Sequence, residues 1–154
     1  MTRLQDEIRQ TRPFQSLEQE ALLSIARTAA LLDHAVAEAL KPHGITPTQY
    51  NALRILRGAG AEGLCRNEVG SRMVAMVPDA TRLLDRLEQM GLVTRGREGA
   101  DRRFVQNRLT PEGRRLVDSL DSVVAELQRR HLGHLGPARL RSLIDLLEAA
   151  RAGA

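Results

Sequence analysis

A mainly α-helical fold carrying one small β-hairpin is what this sequence predicts, and three observations carry the prediction. Apolar residues recur at steps of three and four along most of the chain, the repeat that gathers them on one side of a helix. Serine, threonine and proline stand where these stretches begin, and glycine where they end, as helix termini require. Only between Leu92 and Leu109 does the pattern change to two short β-prone runs around a glycine-containing loop. With 154 residues the chain is expected to form one folding unit.

Met1 to Gln15 is mixed and polar and reads as an arm or short helix. A long helix then opens at Ser16, with Gln19 as its capping-box partner. It carries an apolar stripe at Leu22, Ile25, Ala29, Leu32, Val36 and Leu40, and Pro42 and Gly44 stop it. Thr46-Pro47-Thr48-Gln49 starts the next helix with a cap, a proline in the first turn and a glutamine at the third position. Tyr50, Leu53, Ile55 and Leu56 form its apolar side, and Gly58 to Gly63 end it.

Cys65 is a small N-cap for a third helix, with Glu68 three residues on and Val69 and Met73 inward. Pro78 marks the first turn of a fourth, running to about Met90. Its inward residues are Ala80, Leu83, Leu84, Leu87 and Met90, and Gly91 closes it. Leu92–Arg95 and Phe104–Leu109 read as strands joined by the loop Gly96 to Arg103, with two glycines and three arginines. Thr110-Pro111-Glu112 caps a long helix with Leu116, Leu120, Val123 and Leu127 in register, and a last helix after Gly136-Pro137 carries Leu140, Leu143, Ile144 and Leu147.

The inventory excludes several classes of function. No apolar run approaches the roughly 20 residues of a membrane span, and no secretory leader is evident; a cytoplasmic protein without membrane contact is expected. One cysteine supports neither an internal disulfide nor a multi-cysteine zinc framework. There is no glycine-rich phosphate loop, no paired-carboxylate motif and no nucleophile with an ordered histidine and acid, so neither an enzyme nor a cofactor is expected. His131 and His134 lie three apart without matching ligands, which favours solvent exposure over a metal.

The basic residues point elsewhere. Of 23 cationic residues, only Lys41 is lysine, and guanidinium forks suit phosphate and guanine edges. Two Phe, one Tyr and no Trp speak against base-stacking platforms, so double-stranded DNA read in a groove is the expected partner. Helix, helix, helix, turn, helix, hairpin is the order of a winged helix-turn-helix, whose second turn helix enters the major groove. Here that helix pairs its inward leucines with an outer set of Asp79, Thr81, Arg82, Asp85, Arg86 and Gln89. Thr81 and Arg82 are best placed for base edges and Arg86 for phosphate. From Arg95 to Arg108, five arginines face two acids, so most of the chain's net charge of +4 sits on the wing. Its tip, with Arg97, Arg102 and Arg103, suits a minor groove or the backbone.

Thr81-Arg82-Leu83-Leu84-Asp85-Arg86-Leu87-Glu88, then Gly91-Leu92-Val93, Asp101-Arg102-Arg103 and Leu109-Thr110-Pro111-Glu112-Gly113 together resemble the signature stretch of MarR-type transcriptional regulators. With the helices upstream, the resemblance covers roughly residues 16 to 130. It implies a homodimer with intertwined terminal helices, a pseudo-palindromic operator, and release by a small, often phenolic or aromatic-acid, effector. Thr81, Arg82 and Arg86 match recognition-helix positions, and Asp101 and Arg103 match the Asp-x-Arg pair that shapes the wing. Cys65 stands where relatives usually carry Ser or Thr, and Gln106 and Asn107 where they are commonly apolar.

The expected organisation is a lobe at 46–110 for DNA and a helical dimerisation region at 16–42 and 111–151. The expected DNA-binding set is Asp79, Thr81, Arg82, Arg86, Arg95, Arg97, Asp101, Arg102 and Arg103. His34, His43 and Tyr50 are candidates for an effector cavity between dimer helices and lobe. Two alternatives stay open: a winged-helix module that binds protein rather than specific DNA, and a thiol switch at Cys65 beside Arg66.

Overall fold

The computed structural model describes residues 3–97 and 105–153. A short helix α1 (Arg3–Glu7) precedes the 24-residue α2 (Leu17–Leu40), then α3 (Pro47–Ala59), α4 (Arg66–Arg72) and α5 (Ala80–Gln89). An antiparallel hairpin of β1 (Val93–Gly96) and β2 (Gln106–Leu109) follows, then α6 (Pro111–Leu132) and α7 (Gly136–Ala152). The mainly α architecture with a two-stranded wing is thus the observed one, in the order expected.

Local chemistry accounts for the helix starts. Thr46 N–H donates to Gln49 Oε1 at 3.0 Å and Gln49 N–H donates to Thr46 Oγ1 at 3.2 Å, a complete capping box with Pro47 at the first helical position. At Ser16 the box is incomplete: Gln19 N–H donates to Ser16 Oγ at 3.2 Å, but Gln19 Oε1 accepts from Gln15 N–H at 2.7 Å. Either neighbouring N–H satisfies the amide oxygen, and spacing alone does not choose between them. Nor does α5 begin at Pro78. Asp79 is its N-cap, its carboxylate accepting from Arg82 N–H at 2.9 Å, and a carboxylate facing free helix N–H groups is the stronger start signal. The first strand is shifted by one residue, with Leu92 before β1 and Gly96 within it; the second is shorter than read, Val105 preceding β2 and Phe104 lying outside the described residues.

The core lies where α3, α4, α5, β1 and α6 meet. Ala52, Leu53, Leu56, Val69, Leu84, Leu87, Val93, Val117 and Leu120 are sealed from solvent there, joined by Leu40 from the end of α2. Two close approaches hold the hairpin in place. Leu64 and Asn107 exchange backbone bonds at 3.0 and 2.8 Å, and Asn107 Nδ2 also donates to the Leu64 carbonyl at 2.9 Å. Asn107, though polar, is buried by this pairing. Beside it Gly63 adopts φ 71°, and a Cβ there would collide with the Asn107 carbonyl. In the first turn of α6, Gly113 packs directly on the Leu92 carbonyl.

Two long stripes are not used as a single-chain core would use them. On α6 the buried residues are Gly113, Val117, Leu120 and Val124. Of the expected set only Leu120 is among them, while Leu116, Val123 and Leu127 are half-buried on the adjoining face. On α2 only Leu40 is buried, and Leu22 and Ile25 are 66% and 46% exposed. α7 buries no residue, and among the described residues it packs chiefly on the 3-10 turn Gly133–Leu135.

Candidate nucleic-acid interface

The helix-turn-helix is built from α4, residues 73–79 and α5. α4 is short, and its start is fixed by Cys65 N–H donating to Glu68 Oε2 at 2.9 Å. That backbone bond holds the Glu68 carboxyl below the ordinary range. α5 rests on Leu84 and Leu87, which are buried, and leaves Arg82 and Arg86 exposed. Thr81 is half-buried, and its Oγ1 accepts from Arg66 Nη1 at 3.0 Å, a tie between the two helices. Asp79 combines two positions: it stands at the tip of α5 and serves as its cap.

Arg95, also expected at DNA, is engaged by acids of its own chain. Its guanidinium forms an ion pair with Asp85 and another with Glu88, where Nε lies 3.3 Å from Oε2. It therefore clamps β1 to the recognition helix, and it neutralises two carboxylates on that helix. Arg97, at the end of β1, is exposed. Asp101, Arg102 and Arg103 lie outside the described residues.

A cavity of about 340 Å³ separates α4, α5 and the hairpin, with Cys65, Arg66, Thr81, Arg95 and Asn107 among its walls. A larger one, about 680 Å³, opens between α2, α3, α6 and the turn before α5. His34 and Tyr50 both line it. His43 does not join them: it sits exposed in the 3-10 turn Lys41–His43, because the turn that stops α2 carries it away. Tyr50 is buried, which pushes its hydroxyl above the ordinary range. The Arg54 guanidinium lies 5.9 Å from the centroid of its ring and pulls the other way. Arg54 and Asn51, also in the wall, escaped the sequence reading, although the four-residue step from Tyr50 to Arg54 places them on one side of α3.

α3 is also bound to α6. Arg57 Nη1 reaches Asp118 at 2.8 Å and Asp121 at 2.9 Å, and Nη2 makes a second bond to Asp121 at 2.9 Å. The fork keeps the Asp121 carboxyl below its ordinary value and Arg57 firmly charged. His131 and His134 are exposed. Among the described residues no helix is long and apolar enough to cross a membrane.

Comparison with known proteins agrees with this geometry. A family model described as the MarR family matches residues 43–103. The uncharacterised HTH-type transcriptional regulator YkoM of Bacillus subtilis (strain 168) is 30% identical over 118 residues, covering 77% of this chain and 75% of that protein. Among solved structures, a MarR transcription factor from Planctomyces limnophilus is 38% identical with a TM-score of 0.66, covering 89% of this chain and 99% of the other. CouR from Rhodococcus jostii RHA1, bound to p-coumaroyl-CoA, is 28% identical with a TM-score of 0.74, covering 89% and 95%.

Proposed function

The chain belongs to the MarR family of DNA-binding transcriptional regulators, which are not enzymes, and from that premise we propose that it represses as a homodimer on a pseudo-palindromic operator and is released by a small aromatic or phenolic effector. The observation that carries this reading is α5, which buries Leu84 and Leu87 while leaving Arg82 and Arg86 to solvent. A helix so divided rests on its lobe and offers forked donors to a groove. Arg82 reads base edges in this scheme, Arg86 and Arg97 meet phosphate, and Asp101, Arg102 and Arg103 belong to the wing tip.

Unpartnered apolar surface supports the dimer. Leu22, Ile25 and Leu31 on α2 and Ile144 and Leu146 on α7 are between 46% and 70% exposed, and packing them against a second copy removes that surface from water. A dimer sets its two recognition helices about 34 Å apart, one turn of DNA. The larger cavity lies between the lobe and the helices α2 and α6, so an occupant there changes that spacing and weakens both half-sites together. Its buried tyrosine and apolar walls suit an aromatic ring, and the p-coumaroyl group bound by CouR is of that kind.

Selection from random duplex DNA, followed by salt-titrated binding of the selected sequence, tests the reading. One preferred, inverted-repeat motif with steep salt dependence is expected; no motif and no binding at low salt would refute it. Within that assay Arg82→Ala should relax sequence preference, while Arg102→Ala should weaken selected and scrambled DNA alike.

A further inference from the structure

The turn before α5, residues 73–79, aims the recognition helix but is lightly held. Met73 N–H donates to the Gly70 carbonyl at 3.3 Å, and Val74 N–H donates to Asn51 Oδ1 at 2.9 Å. Among the described residues this is the one side-chain hydrogen bond to the backbone of 73–78. Packing holds the turn's first residue, Met73, half-buried against the core, but beyond it Val74 and Met76 are 91% and 99% exposed. Asn51 stands on α3, 23 residues earlier, and it shares the wall of the larger cavity with Val74 and Ala75. Because Val74 N–H is a donor, the amide atom that meets it is the oxygen. One side chain thus touches both the cavity and the backbone that carries α5.

We propose that Asn51 is a positioning residue through which the contents of the cavity reach the recognition helix. With the cavity empty, Asn51 pins Val74 and α5 keeps the orientation in which it meets DNA. A group lodged against Asn51 displaces the amide, the turn is released, and α5 swings away. The fitting occupant is an aromatic hydroxyl compound, whose O–H draws the amide oxygen into the cavity while its ring pushes the side chain away from Val74 N–H. The inference rests on the operator reading above and adds the residue that transmits the signal.

Three variants test it without any ligand. Asn51→Leu keeps the side chain's size and removes the acceptor, and about threefold to tenfold weaker binding to the selected duplex is expected. Asn51→Asp retains an acceptor and should bind like the wild type. Ala37→Phe, from the opposite wall on α2, fills the cavity; it should weaken binding in the wild type and add nothing in the Asn51→Leu background. Exchange of the Val74 amide, followed by NMR in the DNA-free protein, should be slower in the wild type than in Asn51→Leu. Equal exchange rates, wild-type DNA affinity in Asn51→Leu, or additive effects of Ala37→Phe would each overturn the proposal while leaving the operator reading intact. Failure of the wild type to select any sequence would overturn both.

Discussion

Arg95 lies on β1, yet electrostatically it belongs to α5, because both of its acidic partners stand there. Removing it leaves Asp85 and Glu88 unpaired on a surface proposed to approach phosphate, where two negative charges repel DNA whatever its sequence. Arg95→Ala is therefore expected to weaken selected and scrambled duplexes equally, by about 1 kcal/mol. Arg82→Ala should instead cost about 1–3 kcal/mol on the selected duplex and little on the scrambled one. Fluorescence anisotropy on the two duplexes separates the roles, and a sequence-dependent loss in Arg95→Ala would refute the clamp. That Arg95 is a clamp was not legible in the sequence: ten residues separate it from Asp85, and nothing local says which arginines find acids. The exposed state of Arg82 and Arg86 was legible, since both lie opposite the leucines of α5.

At the scale of elements, the first turn of α6 is where that helix is locked to the start of the hairpin. Gly113 accepts the Leu92 carbonyl at a separation that a Cβ would close, so the helix or the strand must shift to admit alanine. Gly113→Ala is expected to destabilise by about 1–3 kcal/mol, and its melting midpoint should fall about 2–4 °C for each of those. An unchanged melt would mean that the contact is slack.

Helix starts also set the acid response. Glu68 is held below its ordinary 4.5 by the Cys65 backbone N–H, Glu126 by the Arg129 guanidinium, and Asp121 below 3.8 by Arg57. A carboxyl with a depressed pKa in the folded state contributes stability above its unfolded value and loses it as pH falls. Thermal midpoints are thus expected to hold above about pH 5 and to decline steadily below it; a midpoint that rises on acidification would contradict these assignments. The boundaries of these elements were read well wherever a cap closes within three residues, as at Thr46 and Thr110. They were read less well at α5, where Pro78 and Asp79 compete and only geometry shows that Asp79 faces the free N–H groups.

The whole molecule presents apolar surface that one copy leaves uncovered. Leu22 and Ile25 have few neighbours of their own chain to lose, so Leu22→Glu with Ile25→Glu should leave the lobe folded and convert the proposed dimer to a monomer. Light scattering after size exclusion reads the mass directly, and a double variant that still elutes as a dimer would place the interface elsewhere. Both stripes were visible in the sequence as stripes; what was not visible is that α6 fully buries Gly113, Val117, Leu120 and Val124, while Leu116 and Val123 pack on the core only in part.

The sequence by itself determined the order of helices and hairpin, the caps that start them and the polar outer face of the recognition helix. All of these follow from interactions within three or four residues or from the period of the apolar pattern. Only the tertiary structure decided which arginines are engaged by acids, which side of α6 is fully buried, that His34 and Tyr50 share a cavity without His43, and that Asn51 holds Val74. Those outcomes depend on groups brought together from tens of residues apart, as Arg57 and Asp118 are across 61. At such separations it is chain packing, not local sequence, that selects the partner.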